Sequence, residues 1–172
     1  MFIVNTENPV GNLTREQIVG IYTGRIKNWK DLGGAPEPIQ PYQRNRNSGS
    51  QEKMEKLVMK GRKMVKAPPL QTPIAMIGPF NAIRHDERGI GYSDLYYDTF
   101  MTHLPEVTTI GIEGVVPNKR TIRDRSYPFV SEVYVAWIGD TPRANPARSV
   151  RDWLLSDEGQ SVVAESGYVP IR

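Results

Sequence analysis

Cysteine is absent from the 172 residues, which excludes disulfides and any thiolate metal site. The absence does not fix the compartment, because many exported proteins also lack cysteine. There are two histidines, His85 and His103, far apart in sequence and without metal-ligand spacing, so both are expected at the surface. No metal and no cofactor is expected. Long hydrophobic runs are missing too: none approaches the roughly 20 apolar residues that span a bilayer. The opening Met1-Phe2-Ile3-Val4-Asn5 is too short and too uncharged for a secretory signal. Charge of one sign is scarce, since 22 Lys and Arg stand against 19 Asp and Glu and leave only +3. That excess favours anionic partners weakly and does not demand nucleic acid. The basic stretches Arg62-Lys63-Met64-Val65-Lys66 and Arg120-Thr121-Ile122-Arg123-Asp124-Arg125 lack the aromatic platforms of single-strand binding and read as solvated faces. Three enzyme signatures are absent as well: the phosphate loop G-x-x-x-x-G-K-[ST], the metal motif H-E-x-x-H and the nucleophile elbow G-x-S-x-G. No motif sets either histidine beside Ser48 or Ser50 as a base, so no catalytic residue is assigned.

What is present centres on Arg44-Asn45-Arg46-Asn47-Ser48-Gly49-Ser50. The strand-like Ile39-Gln40-Pro41-Tyr42 runs into it, and a helical pattern over 51–60 runs out, with Met54, Leu57 and Val58 on one face. Ser48 or Ser50 can cap that helix at its start, and Gly61 stands where a closing glycine belongs. First-turn amides of a helix have no intrahelical acceptor, and the helix dipole adds about half a positive charge there. With two hydroxyls, a glycine and the guanidinium of Arg44, the stretch makes a seat for a small anion. The plainer alternative is an ordinary capped helix after a polar turn.

The rest of the chain mixes strands and helices, which gives an α/β fold. Phe2-Ile3-Val4 reads as a strand, and Thr14 with Gln17 forms a capping box before a helix burying Ile18, Ile21 and Tyr22 and closed by Gly24. Ile26, Trp29 and Leu32 anchor a compact loop. The proline-rich 67–73 is expected as loop, and a short helix is expected over 79–83. Gly89-Ile90-Gly91-Tyr92 reads as a buried strand, 94–100 as an aromatic turn, and 107–112 as a β-branched strand. The stretch 121–125 reads only as polar. A strand is expected over 133–137, and a helix over 146–155 with Val150, Trp153 and Leu154 as its apolar face. A last helix starts at Ser156 and ends at Gly167.

Taken in order, several of these segments resemble the phosphate-binding proteins of ABC importers, within the periplasmic-binding-protein-like superfamily. They are Asn8-Pro9-Val10, Leu13-Thr14-Arg15-Glu16-Gln17-Ile18 and the run from Ile21-Tyr22-Thr23-Gly24 to Asp31-Leu32-Gly33-Gly34. Arg44-x-x-x-Ser48-Gly49-Ser50 is similar to that family's R-x-x-x-S-G-T. Gly89-Ile90-Gly91-Tyr92, Ile112-Glu113-Gly114-Val115-Val116-Pro117, Tyr127-Pro128-Phe129, Leu154-Leu155-Ser156-Asp157-Glu158-Gly159-Gln160 and Gly167-Tyr168-Val169-Pro170 follow in family order.

The resemblance implies a type II lobe with crossover strands and an incomplete first lobe. Residues 6–130 would be the second, anion-seat lobe, and 1–5 with 131–172 the crossover strands and the C-terminal remnant of the first. It implies Arg44, Ser48, Gly49 and Ser50 as ligands of phosphate or a similar tetrahedral oxyanion, in a non-enzymatic solute-binding component of an ABC importer. An ABC permease would be the partner. The expected location is extracellular or periplasmic, with any membrane anchor on a leader outside this chain. The departures are specific. The first-lobe Ser/Thr loop and the acidic residue that accepts a phosphate proton have no counterpart here. Ser50 replaces a threonine, while Arg46 and Glu52 are unexpected, and Glu52 would oppose an anion unless Lys56 draws it away. The rival implication is a sensor, adhesion or scaffold module that kept the fold without transport. The incomplete lobe also implies either self-association or a mobile remnant, with apolar surface and unpaired backbone left at Phe2-Ile3-Val4 and 133–137.

Overall fold

The computed structural model describes residues 1–67, 75–102, 104–136 and 146–171. Side-chain alternation in the first strand sets the layers. In β1 (Phe2–Asn5) every residue is buried. Phe2 and Val4 pack on one side with Ile18, Ile21 and Tyr22, whereas Ile3 packs on the other with Phe80 and Ile83. A strand covered on both faces belongs inside a sheet. Accordingly β1 lies between β4 (Gly89–Tyr92) and β5 (Val107–Ile112), antiparallel to both, with Ile3 opposite Gly91 and Thr109. β2 (Asn12–Leu13) runs parallel to β5, and β3 (Gln40–Pro41) parallel to β4, so the order is β2-β5-β1-β4-β3. The unpaired backbone expected at Phe2, Ile3 and Val4 is therefore corrected. Residues 2–4 pair on both sides within the five-stranded sheet, because alternating apolar residues find a ladder on each side.

One face of the sheet is covered by α1 (Arg15–Tyr22). Its capping box is present, with Thr14 Oγ1 accepting from the Gln17 amide and Gln17 Oε1 from the Thr14 amide. Ile18, Ile21 and Tyr22 are fully buried, and Tyr22 donates its hydroxyl hydrogen to the Ile90 carbonyl at 3.2 Å. A 3-10 turn over Trp29–Leu32 buries Trp29, whose indole donates to the Arg88 carbonyl at 2.9 Å. The opposite face is covered by α3 (Gly78–Ile83). There Gly91 lets the helix approach, since a Cβ at that position would stand 2.8 Å from Ile83 Cδ1.

Four segments differ from expectation. The helix after the 44–48 loop begins as α2 (Gly49–Lys53) and widens into a π-helix over Met54–Met59, with the Lys60 amide bonded to the Glu55 carbonyl five residues back. The aromatic stretch expected as turn is α4 (Leu95–Tyr97) followed by a π-helical turn over Asp98–Thr102. The polar 121–125 overlaps α5 (Lys119–Arg123), capped by Asn118 through the Thr121 amide. The strand expected over 133–137 is not formed in residues 131–136, where Val133 is 75% exposed and Tyr134 and Val135 are exposed too. A β-branched run becomes a strand only beside an edge that bonds to it, and no described strand pairs with this one. Trp137, and the expected loop at 68–73, lie outside the described residues. The last two helices are α6 (Pro146–Leu154) and α7 (Asp157–Glu165), the latter capped by Ser156, and Val150, Trp153 and Val162 on them are exposed.

Candidate functional site

β3 and β4 are parallel neighbours, and their C-terminal ends point to the same edge of the sheet. The Tyr42 amide still bonds the Ile90 carbonyl at 2.8 Å, and beyond it the chain leaves the sheet through Gln43 and Arg44. The Arg44 amide is shared between the Tyr92 hydroxyl and Gln51 Oε1, each at 3.1 Å, and the Tyr92 hydroxyl donates in turn to Gln51 Oε1. Gln51 Nε2 then donates to Glu55 Oε1 at 2.9 Å. The residue that enters the loop and the first turn of the helix that leaves it are thus bolted to the end of β4.

Arg44 is 6% exposed, and its Nη1 lies 3.6 Å from Met76 Sδ. Burial pulls the guanidinium pKa down from its ordinary value, while Tyr92, Tyr97 and Asp94 act in the opposite direction and favour the charge. Ser48 is the N-cap residue by position, yet it makes no side-chain capping bond. Its amide donates to the Asn45 carbonyl at 3.0 Å, and its hydroxyl lies 2.9 Å from that of Ser50. The first helical hydrogen bond runs from the Glu52 amide to the Ser48 carbonyl, so the amides of Gly49, Ser50 and Gln51 stand at positions with no intrahelical acceptor. The structure brings the two serines together directly and joins Arg44 to the same helix start through Gln51.

Arg46 is exposed. Glu52 is exposed as well and forms an ion pair with Lys56, whose ammonium pulls the Glu52 carboxyl below its usual pKa. The pair lies along the outer helix surface, where Lys56 engages the carboxylate. Gln51 and Tyr92 hold the loop but were not singled out from the sequence. Gln51 did carry a signal, being a polar residue in line with the buried Met54 and Val58.

The cavity of about 340 Å³ at the other end of β4 sets Glu7, Glu37, Asp86 and Glu87 against Arg88 alone, an acidic balance that disfavours an anion. Among the described residues no group of three or more His, Asp and Glu is placed to hold a metal ion. His85 is exposed as expected, and His103 lies outside the described residues. No helix among them is long and apolar enough to cross a membrane.

Residues 1–158 match a family model described as a PBP superfamily domain. The phosphate-binding protein PstS of Bacillus subtilis is 28% identical over 171 residues, covering 98% of this chain and 53% of that protein. The chain spans about half the length of the curated relatives it matches. A phosphate ABC transporter substrate-binding protein of Clostridium perfringens, crystallised with bound phosphate, superposes with a TM-score of 0.73 at 26% identity over 99% of this chain and 68% of its own. An ABC-type phosphate transport receptor of Vibrio cholerae, at 24% identity, shares the fold with a TM-score of 0.75 over 98% of this chain and 67% of its own.

Proposed function

The chain belongs to the PBP superfamily domain family, and on that footing we propose that it binds phosphate or a similar tetrahedral oxyanion as the solute-binding component of an ABC importer. The observation that carries the reading is the burial of Arg44 in a loop tied through Gln51 to a helix start that has two hydroxyls and three amides without intrahelical acceptors. Arg44, Ser48, Gly49 and Ser50 are the proposed ligands. A guanidinium fork matches two oxygens of a tetrahedral anion, and the amides and hydroxyls match the others. The names of the relatives from Bacillus subtilis and Clostridium perfringens support phosphate in particular.

Binding of this kind leaves the ligand unchanged, so the proposed role is not enzymatic. The implied partner is an ABC permease, and the implied location is extracellular or periplasmic. In this proposal residues 6–130 supply the anion seat, 131–172 belong to the other lobe, and the exposed apolar residues of that part favour self-association.

Isothermal titration of the 172-residue chain with phosphate and with sulfate tests the reading. Saturable phosphate binding is expected, and Arg44→Ala should weaken it far more than Arg46→Ala. One charge-assisted hydrogen bond is worth about 1.5–3 kcal/mol, or roughly tenfold to a hundredfold in Kd. No phosphate binding, or equal losses in the two variants, overturns the assignment.

A further inference from the structure

Three stretches distant in sequence meet on the flank of α4. The Tyr96 ring meets two others, Tyr168 stacked on it at 4.6 Å and 10° and Phe100 tilted against it at 5.2 Å and 33°. Lys119 Nζ lies 5.7 Å from the centroid of the Phe100 ring and donates to the Ala164 carbonyl at 3.4 Å, in the last turn of α7. A cation at that end of a helix complements its dipole. Gly167 turns the chain there at φ +98°, and a Cβ in its place would stand 2.4 Å from Phe100. Tyr96, Phe100, Lys119 and the end of α7 are thereby closed on one another.

The same α4 turn starts three residues after Tyr92, whose hydroxyl accepts from the Arg44 amide at 3.1 Å. Asp94 caps it by accepting from the Tyr97 amide at 2.8 Å, and Tyr97 packs on the buried Phe80 at 5.8 Å. Arg44 Nη1 lies 3.6 Å from Met76 Sδ, two residues before the α3 helix that carries Phe80. α4 is thus tied to the Arg44 loop through the end of β4 and through the start of α3, while its Tyr96 and the following Phe100 are held by the C-terminal segment. We propose that Tyr96, Phe100, Lys119 and Tyr168 form a clasp that fixes the α4 turn beside Arg44, which makes Tyr168 and Lys119 positioning residues for anion binding. The clasp adds a role for the C-terminal segment and rests on the reading of Arg44 as the anion ligand.

The absence of cysteine allows a clean test. Asn81→Cys on α3 and Ser161→Cys on α7 introduce one spin-label pair into the full chain, and the label separation is read by double electron–electron resonance. Phosphate affinity is measured by calorimetry on the unlabelled variants. Tyr168→Ala and Lys119→Ala should broaden the distance distribution and raise the phosphate Kd about two- to tenfold, the factor that one aromatic pair or cation–π contact commands. Tyr168→Phe keeps the stack and should leave both readouts at the parent values. An unchanged distance distribution in both alanine variants overturns the clasp. Broadened distances with unchanged affinity overturn its positioning role. If the parent chain binds no phosphate, the functional reading falls and the positioning role falls with it. That outcome is distinct from a parent that binds and alanine variants that bind equally well.

Discussion

Tyr92 ends β4 with its hydroxyl between the Arg44 amide and Gln51 Oε1, so a single phenol joins sheet, loop and helix. Burial pushes its pKa up to about 12. Tyr42 is also raised to about 12, by burial first and then by its hydrogen bond to Asp86. A phenol that holds its proton more tightly in the folded chain than in the unfolded one stabilises the fold in its neutral form. That contribution is complete below the unfolded value near 10 and is lost as pH rises through about 12. The urea midpoint should therefore fall between about pH 10 and 12. Tyr92→Phe removes the hydroxyl and keeps the ring. It should cost about 1–3 kcal/mol at neutral pH and make the high-pH fall shallower. A fall of undiminished slope in that variant would assign the titration to other groups.

At the scale of elements, two helix starts that look alike in sequence do different work. Thr14 closes a complete capping box, so Thr14→Ala should cost about 0.5–2 kcal/mol in urea denaturation. Ser48 occupies the same position on α2 without a capping bond, its hydroxyl being turned to Ser50. Ser48→Ala should leave stability within about 0.5 kcal/mol and weaken phosphate binding in the calorimeter. A stability loss as large as that of Thr14→Ala would make Ser48 a structural cap instead. The box at Thr14 was legible because its partners lie three residues apart, and so were the closing glycines. The π-helix over Met54–Met59 was not, because its wider turns go with the burial of Met54, Val58 and Met59 against distant residues, which spacing does not encode. α5 was readable in principle from Asn118 and Thr121, but its basic residues drew the eye to charge. Residues 131–136 had the composition of a strand and lacked the neighbour that makes one. In the 44–50 loop the helix start at Ser48 and Gly49 was legible. The depth of Arg44 and its tie through Gln51 needed the third dimension.

Across the whole molecule, burial is uneven. The sheet and the helices around it enclose Ile3, Val4, Ile18, Tyr22, Ile90 and Ile110 completely. The C-terminal part leaves Val133, Tyr134, Val150, Trp153 and Val162 in contact with solvent. Exposed apolar surface favours association, so the light-scattering mass of the chain should rise with concentration. Trp153→Lys should suppress the rise, since Trp153 is 41% exposed and its removal leaves the sheet core untouched. A monomeric mass at every concentration would contradict the expectation. The position of β1 has a different consequence, for synthesis on the ribosome. Ile3 pairs with Gly91 and Thr109, so the innermost strand is translated long before either flank. At about 5–20 residues per second, Phe2, Ile3 and Val4 wait roughly ten seconds with no ladder, exposed to chaperones and to strand edges of other nascent chains. A chain stalled before residue 89 would carry on its outside the strand that the finished protein hides most completely.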